Sequence, residues 1–181
     1  MKNLYSIDKN LKQDRKEELI SFLGKERYQA SEQYWLNQFK GEIPILDLPS
    51  FKTRPLIPTF KGESVTHSFS KDFLEKIKKF SQEQQTNLFT SLMAAVNVLL
   101  YKYTKLDDII TGTIIAGQDH FNIENLSDSY TNTLAIRTQI DKESKFLEFL
   151  QFQKKVLSNA LEHQQYPFDE LIDQLNKDVS L

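Results

Sequence analysis

The chain has 181 residues, 39% of them apolar, so it is long enough and apolar enough to fold around a core. Its 23 basic and 25 acidic residues nearly cancel, which argues against a nucleic acid or an anionic membrane as partner. The absence of cysteine excludes thiol catalysis, disulfides and thiolate metal sites, and it fits a cytoplasmic protein. We expect neither a signal peptide nor a membrane span, because the N-terminus is charged and the apolar runs are short.

Two helices are predicted in a helical lead-in over residues 1–41. An apolar patch from Leu19 to Leu23 precedes Gly24, and Gly41 supplies a stop signal for the second helix. The inward face of that second helix is predicted from residues at helical spacing, namely Tyr28, Ser31, Trp35, Gln38 and Phe39.

Residues 42–62, EIPILDLPSFKTRPLIPTFKG, hold four of the five prolines of the chain. Proline neither donates to a sheet ladder nor continues a helix, so this stretch is predicted to be an extended connector. Its isoleucines and leucines are too apolar for a free linker, and we expect it to run over a protein surface. The next stretch, ESVTHSFS, residues 63–70, alternates, with Val65, His67 and Phe69 on one side, and this alternation predicts a strand.

Two further helices are predicted next. Ser70 is the predicted N-cap of the first, and its apolar residues recur at helical spacing from Phe73 to Phe80. This helix also has three lysines, Lys76, Lys78 and Lys79, and we interpret them as a solvated face in preference to a phosphate-binding site. The second helix, from about Asn87 to Tyr103, is apolar on most sides, so we expect it to be buried.

Two strands and two helices complete the predicted elements. DDIITGTIIAG, residues 107–117, is rich in β-branched residues, which predicts a strand covered on both faces. YTNTLAIRTQI, residues 130–140, is a predicted half-buried strand, because its leucine and isoleucines share one parity. A long helix begins near Phe146, and Pro167 opens a short last one. This mixture predicts an α/β or α+β fold.

Metal-binding patterns are weak in this sequence. The three histidines, His67, His120 and His163, are far apart, and none has the spacing of a metal-ligating pair. His120 together with Asp119 and Glu124 could hold a cation, but a polar surface loop is the favoured interpretation. The sequence therefore predicts no metal site.

Nucleotide and serine-hydrolase motifs are also missing. Gly112 and Gly117 have Walker spacing, but Gln118 and Asp119 stand where a P-loop needs lysine and a hydroxyl residue. The chain contains no G-x-S-x-G stretch, so it has no nucleophile elbow of the hydrolase type.

The stretch HQQYPFDEL, residues 163–171, raises the question of general base catalysis, since it places His163 near two acids. The alternative is a structural corner in which His163 ends one helix and Pro167 fixes the first φ angle of the next. The corner is favoured, with the histidine beside the terminal carbonyls of its helix.

Several phrases, in their order and spacing, resemble the condensation domains of nonribosomal peptide synthetases. QYWLNQFKGEIPILDLPSFKTRP resembles the family's tyrosine–tryptophan helix and the connector that ends in Arg-Pro. GESVTHSFS and TNLFTSLMAAVNVLLYKYTKLDDIITGTIIAG are similar to the strand, helix and glycine-containing strand that follow. SYTNTLAIR resembles the family signature GxFVNTLxxR, and HQQYPFDEL resembles HQDYPFEeL.

This resemblance implies half of a chloramphenicol-acetyltransferase-like fold, an α/β (α+β) sandwich with a mixed sheet flanked by helices. It further implies that residues 63–181 are the C-terminal subdomain of a domain with a substrate tunnel between its halves. Two carrier proteins would present thioesters on phosphopantetheine arms, and the acceptor amine would attack the donor thioester to form an amide. The implied partners are therefore carrier proteins and the N-terminal half of the domain, with no directly bound cofactor.

The family's active-site motif, His-His-x-x-x-Asp-Gly, has no counterpart here, because no two histidines are adjacent. We therefore assign no catalytic residue and expect the isolated chain to be inactive. The resemblance places three residues toward the tunnel, Tyr130, Asn132 and Thr133. For Asn132, pairing with neighbouring backbone is an equally favoured role, because a buried amide needs partners. A mainly structural role is expected for the signature residues Trp35, Arg137, His163, Pro167 and Phe168.

Three positions depart from the family pattern. Asp128 replaces a glycine, Gln118 replaces an arginine, and Gln165 replaces an aspartate. An epimerising, cyclising or degenerate member of the family would share the remaining signatures. The alternative function is a non-catalytic interaction module that docks onto a carrier protein or a partner half, or that self-associates through exposed apolar surface.

Overall fold

The computed structural model describes residues 9–49, 57, 59, 62–116 and 131–179. Within these residues the chain forms helices and two strands in the order α1 Lys9–Leu23, α2 Lys25–Gln38, α3 Lys71–Glu83, α4 Leu88–Thr104, β1 Asp108–Ala116, β2 Thr131–Gln139, α5 Phe146–Glu162 and α6 Phe168–Val179. The strands pair in an antiparallel sheet, in which the Ile140 amide donates to the Asp107 carbonyl at 2.6 Å. The predicted α+β class is confirmed. None of the described helices is long and apolar enough to cross a membrane.

The chain divides into two compact units. The first consists of Met1–Ile43, Gly112–Ala135 and Ala160–Leu181, and the second of Pro44–Thr111 and Ile136–Asn159. Both strands contribute residues to each unit. The division by sequence into a lead-in, a connector and a subdomain stays a prediction.

The first unit packs α1 and α2 together and α2 against α6. Gly24 separates α1 from α2 with a φ of +82°, in the left-handed region that glycine adopts without steric cost. The core side chains of this unit are almost fully buried and include Leu19, Tyr28, Trp35, Tyr166 and Leu171. The inward face predicted for α2 is thus confirmed at Tyr28, Ser31 and Trp35.

The second unit has a core of Ala94, Ile109, Ile140, Phe149 and Leu150. Its helices begin where their caps predict. The Ser70 hydroxyl accepts from the Phe73 amide at 3.2 Å, and the Asn87 side chain accepts from the Thr90 amide at 2.8 Å. The solvated lysine face of α3 is confirmed, because its lysines pair with nearby acids on the same helix.

The predicted burial of α4 is wrong. Its buried positions are Thr90, Ser91, Ala94 and Asn97, while several large apolar side chains of the same helix are exposed. The composition of a helix does not decide which side is covered, because burial depends on what packs against it. In this unit the core contacts the side with the small and polar residues.

Two strand predictions are also corrected. Residues 62–69 form no strand with any described part of the chain, and Val65 is 99% exposed. Alternation describes side chains only, whereas a strand also needs a partner edge for its hydrogen bonds. β1 was expected to be covered on both faces, yet Ile114 is 75% exposed. The half-buried pattern of β2 is confirmed.

The connector, where the structure describes it, contains no helix or strand, and its extended course stays a prediction. Its expected packing on a protein surface is not seen for two of its isoleucines, since Ile45 and Ile57 are 83% and 81% exposed. These side chains find no apolar surface to cover among the described residues.

Candidate functional site

The stretch from His163 to Phe168 joins the end of α5 to the start of α6 in the first unit. The His163 carbonyl accepts from the Tyr166 amide at 3.2 Å, and the Pro167 carbonyl accepts from the Leu171 amide at 3.1 Å. Pro167 is almost fully buried, and α6 begins at the next residue. We call residues 163–168 the corner.

The His163 ring is held against α2 by two side chains. Its Nδ1 lies 3.0 Å from the Ser31 hydroxyl oxygen, and the ring stacks on Tyr34 with centroids 4.3 Å apart. The indole Nε1 of Trp35 donates to the His163 carbonyl at 2.9 Å. Helix α2 therefore contacts both the ring and the backbone carbonyl of His163.

The contact between Ser31 and His163 resembles the nucleophile and base of a hydrolase, but its surroundings do not suit that chemistry. Ser31 is only 3% exposed, so a substrate carbonyl cannot reach its hydroxyl. No described carboxylate hydrogen-bonds to the ring to orient it as a base. These observations favour the structural corner over general base catalysis.

The expected contact of the His163 ring with terminal helix carbonyls is not observed, because the ring faces Ser31 and Tyr34 instead. Burial lowers the pKa of His163 below its usual 6.5, which favours the neutral ring. A helix C-terminus would favour the charged form, so burial is the dominant effect here.

This lowered pKa predicts a pH dependence of stability. In the region between the folded pKa and 6.5, the folded state binds fewer protons than the unfolded state. The contribution of His163 to stability is therefore fully present above pH 6.5 and is lost as the pH falls through the folded pKa. We expect His163→Gln to weaken the drop in unfolding free energy between pH 7.5 and pH 5.5, measured by urea titration. The exposed His67 supplies the control, His67→Gln, and equal drops in all three proteins would contradict the expectation.

Asn132, at the start of β2, ties this strand to the corner. Its Nδ2 donates to the carbonyls of Gln164 at 2.7 Å and Tyr166 at 2.8 Å. Its Oδ1 accepts from the amides of Thr133 at 3.0 Å and Phe168 at 3.2 Å. Each polar atom of the buried amide therefore has partners, as the backbone-pairing role requires. A tunnel-facing position for Asn132 stays a prediction.

The tunnel-facing positions of Thr133 and Tyr130 also stay predictions. Thr133 is half-buried, and its methyl group lies 3.9 Å from the place where a side chain on Gly112 would begin. Tyr130 lies outside the described residues, as do the candidate cation ligands Asp119, His120 and Glu124. Among the described residues, no group of acids and histidines could hold a metal ion.

A tyrosine pair that sequence reasoning did not single out joins α2 to the corner. The rings of Tyr28 and Tyr166 are 5.4 Å apart, and the Tyr166 hydroxyl donates to Glu32 at 3.3 Å. Burial raises the pKa of both phenols, and it raises the pKa of Tyr34 to about 12, so all three stay neutral. The helical spacing of Tyr28, Ser31 and Trp35 was the available signal, but it identified a buried face and not its partner.

Arg137 lies on β2 in the second unit, and its side chain reaches Asp108 on the neighbouring strand β1. Its Nε lies 3.0 Å from both carboxylate oxygens of Asp108, and a terminal nitrogen lies 2.6 Å from one of them. The hydrogen bonds that Arg137 donates to the Asp108 carboxylate raise the pKa of Arg137. Such a forked pair fixes the two strands in register, which fits the structural role expected for Arg137.

A groove of about 680 Å³ in the second unit has an acidic rim. Two of its carboxylates are already paired, Asp107 with Lys142 at 2.9 Å and Asp108 with Arg137. The Asp141 side chain accepts from the Glu143 amide at 3.0 Å and so holds the turn before α5. The groove therefore presents carboxylates engaged in structural contacts, and its described lining contains no histidine.

The comparisons with known proteins agree with one another. The family model described as "Condensation domain" matches residues 11–180. The chain is 43% identical over 157 residues to tyrocidine synthase 3 of Brevibacillus parabrevis, covering 86% of this chain and 2% of that protein. It is 43% identical over 148 residues to surfactin synthase subunit 2 of Bacillus subtilis (strain 168), covering 82% of this chain and 4% of that protein.

Solved structures share the fold at lower identity. The first condensation domain of the calcium-dependent antibiotic synthetase, in complex with a substrate analogue, superimposes with a TM-score of 0.69 at 16% identity over 90% of this chain and 36% of that one. The X-domain from teicoplanin biosynthesis gives a TM-score of 0.73 at 19% identity over 82% of this chain and 33% of that one. The chain thus spans about a third of each of these two solved chains and a few per cent of the synthetases.

Proposed function

Because the chain belongs to the condensation-domain family, we propose that it is the C-terminal part of a condensation domain that joins carrier-bound thioesters through an amide bond. The observation that carries this proposal is the hydrogen bonding of Asn132 to the corner. Asn132 lies in SYTNTLAIR and the corner in HQQYPFDEL, so two separate family signatures form one structural unit.

In this proposal the chain shapes and supports the substrate tunnel and does not supply the base. Amide formation needs a group that accepts the proton of the attacking amine or holds the developing oxyanion. Of the described histidines, His163 contacts Ser31 and Tyr34, and the His67 ring lies 5.1 Å from the Phe69 ring in an exposed segment outside the helices and strands. The base would come from the His-His-x-x-x-Asp-Gly motif of the N-terminal half.

The proposed partners follow from the same reaction. Each substrate would arrive as a thioester on the phosphopantetheine arm of a carrier protein, so that group enters with the substrate. The N-terminal half of the domain would form the opposite wall of the tunnel. The near-neutral charge of the chain suits protein partners better than nucleic acid.

We expect the isolated chain to form no amide product above the uncatalysed rate when it is mixed with loaded donor and acceptor carriers. A hybrid of tyrocidine synthase 3, in which this chain replaces the segment that it matches, should form product, because the hybrid restores the base. Mass spectrometry of the carrier-bound species measures both results. Product from the isolated chain would contradict the assigned lack of catalysis, and a folded but inert hybrid would contradict the proposed function.

A second candidate is a non-catalytic docking module. One solved relative of the fold is described as a complex of the X-domain and OxyB from teicoplanin biosynthesis, with a TM-score of 0.74 at 18% identity. The condensation fold is therefore also seen bound to another protein. An inert hybrid that still binds the loaded carriers would favour this candidate.

A further inference from the structure

One side of α4 presents a continuous apolar stripe to solvent. The stripe consists of five side chains that are between 46% and 63% exposed, namely Phe89, Leu92, Val96, Leu99 and Tyr103. We call these residues the α4 stripe. The spacing alternates between three and four residues, so the side chains line one face of the helix.

The side of α4 opposite the stripe is covered by the second unit itself. Ala94 and Asn97, on the opposite side, are 0% exposed and face the core. Lys102 is the only charged residue in the sequence of the helix, LFTSLMAAVNVLLYKYT. A solvent-facing helix side normally has several charged residues, so the α4 stripe has the composition of an interface.

The size of the stripe helps to decide what covers it. Its exposed fractions correspond to on the order of 500 Å² of apolar surface. A stable interface between separate proteins buries about 800 Å² on each partner. The stripe by itself is therefore too small for a stable dimer of this chain, but it is sufficient for a contact within one polypeptide, where the linkage raises the effective concentration.

We propose that the α4 stripe is the surface on which the remaining part of a condensation domain packs. The inference rests on the proposed function, because it takes the rest of such a domain as the occupant. It is supported by length, since the chain spans 36% of the solved condensation domain that it matches over 90% of its own residues. A domain of that length has other elements available to cover the stripe, and covering it removes apolar surface from water.

Cysteine reactivity tests this inference directly, because the chain has no cysteine of its own. Val96→Cys places a thiol on the stripe, and Lys76→Cys places one on the solvated side of α3, where Lys76 is 73% exposed. Each variant is made both in the isolated chain and in the tyrocidine synthase 3 hybrid, and its rate of reaction with a maleimide is measured. In the hybrid, the cysteines of the synthetase part are replaced beforehand. We expect similar rates for both variants in the isolated chain, and at least about 100-fold slower reaction of Val96→Cys alone in the hybrid.

Equal reactivity of Val96→Cys in the isolated chain and in the hybrid would overturn the inference. Protection that grows with the concentration of the isolated chain would also overturn it, since a second copy would then be the occupant. When the hybrid does not fold, the same rates are measured on the isolated chain mixed with the rest of the domain as a separate polypeptide. A hybrid that protects the thiol but forms no amide contradicts the proposed function alone, and one that forms amide without protection contradicts this inference alone.

Discussion

Asn132→Ala should destabilise the chain by about 4 kcal/mol, because four hydrogen bonds to backbone groups, one buried and three partly buried, are lost at once and each contributes about 1 kcal/mol. The carbonyls of Gln164 and Tyr166 and the amide of Phe168 have no other hydrogen bond to this strand among the described residues. A typical domain is stable by about 5–15 kcal/mol, so this loss is large. Urea unfolding followed by circular dichroism measures it.

Asn87 supplies a matched control for this experiment. Its side chain caps α4 through the Thr90 amide and hydroxyl, so Asn87→Ala removes an asparagine from a local contact and leaves the corner intact. We expect a cost of about 1 kcal/mol, typical of a lost N-cap. Equal losses for the two variants would show that the contacts of Asn132 contribute no more than an ordinary cap.

The second large effect is expected at the buried amide pair of the second unit. Asn97 and Gln153 are both 0% exposed, and the Asn97 Nδ2 donates to the Gln153 Oε1 at 2.9 Å. Gln153→Leu removes the acceptor and leaves the asparagine amide buried without a partner. We expect a loss of about 3 kcal/mol in unfolding free energy, measured by urea titration.

The double variant Asn97→Leu with Gln153→Leu completes the comparison. The Asn97 Oδ1 and the Gln153 Nε2 have no hydrogen-bond partner among the described residues, so the pair is only half satisfied. Replacing both amides with apolar groups of similar size therefore removes the desolvation cost, and most of the lost stability should return. Additive losses in the double variant would show that the two amides do not act as a pair.

Helix boundaries were predicted correctly where a local sequence signal sets them. Ser70 and Asn87 cap their helices because a short polar side chain can reach the first free amides. Pro167 marks the start of α6 because its ring fixes φ at a helical value. The same local patterns indicated the condensation-domain family, which the family model confirms over residues 11–180.

The candidate site was predicted as a set of positions but not as a set of contacts. Trp35 and His163 were expected to be structural, yet nothing in their spacing showed that the indole of one donates to the carbonyl of the other. Asn132 and the corner are separated by more than thirty residues, and their pairing depends on how the chain folds back. Contacts of this kind arise from the path of the chain and leave no periodic signal.

By itself, the sequence determined the helix boundaries, the half-buried strand β2, the corner at Pro167 and the family of this protein. These features depend on backbone geometry, capping and residue order, which act over a few residues. Only the tertiary structure decided that α4 buries Asn97 and exposes Val96, and that residues 62–69 have no strand partner among the described parts of the chain. Burial and strand pairing depend on which distant surfaces pack together, and local periodicity does not indicate which surfaces those are.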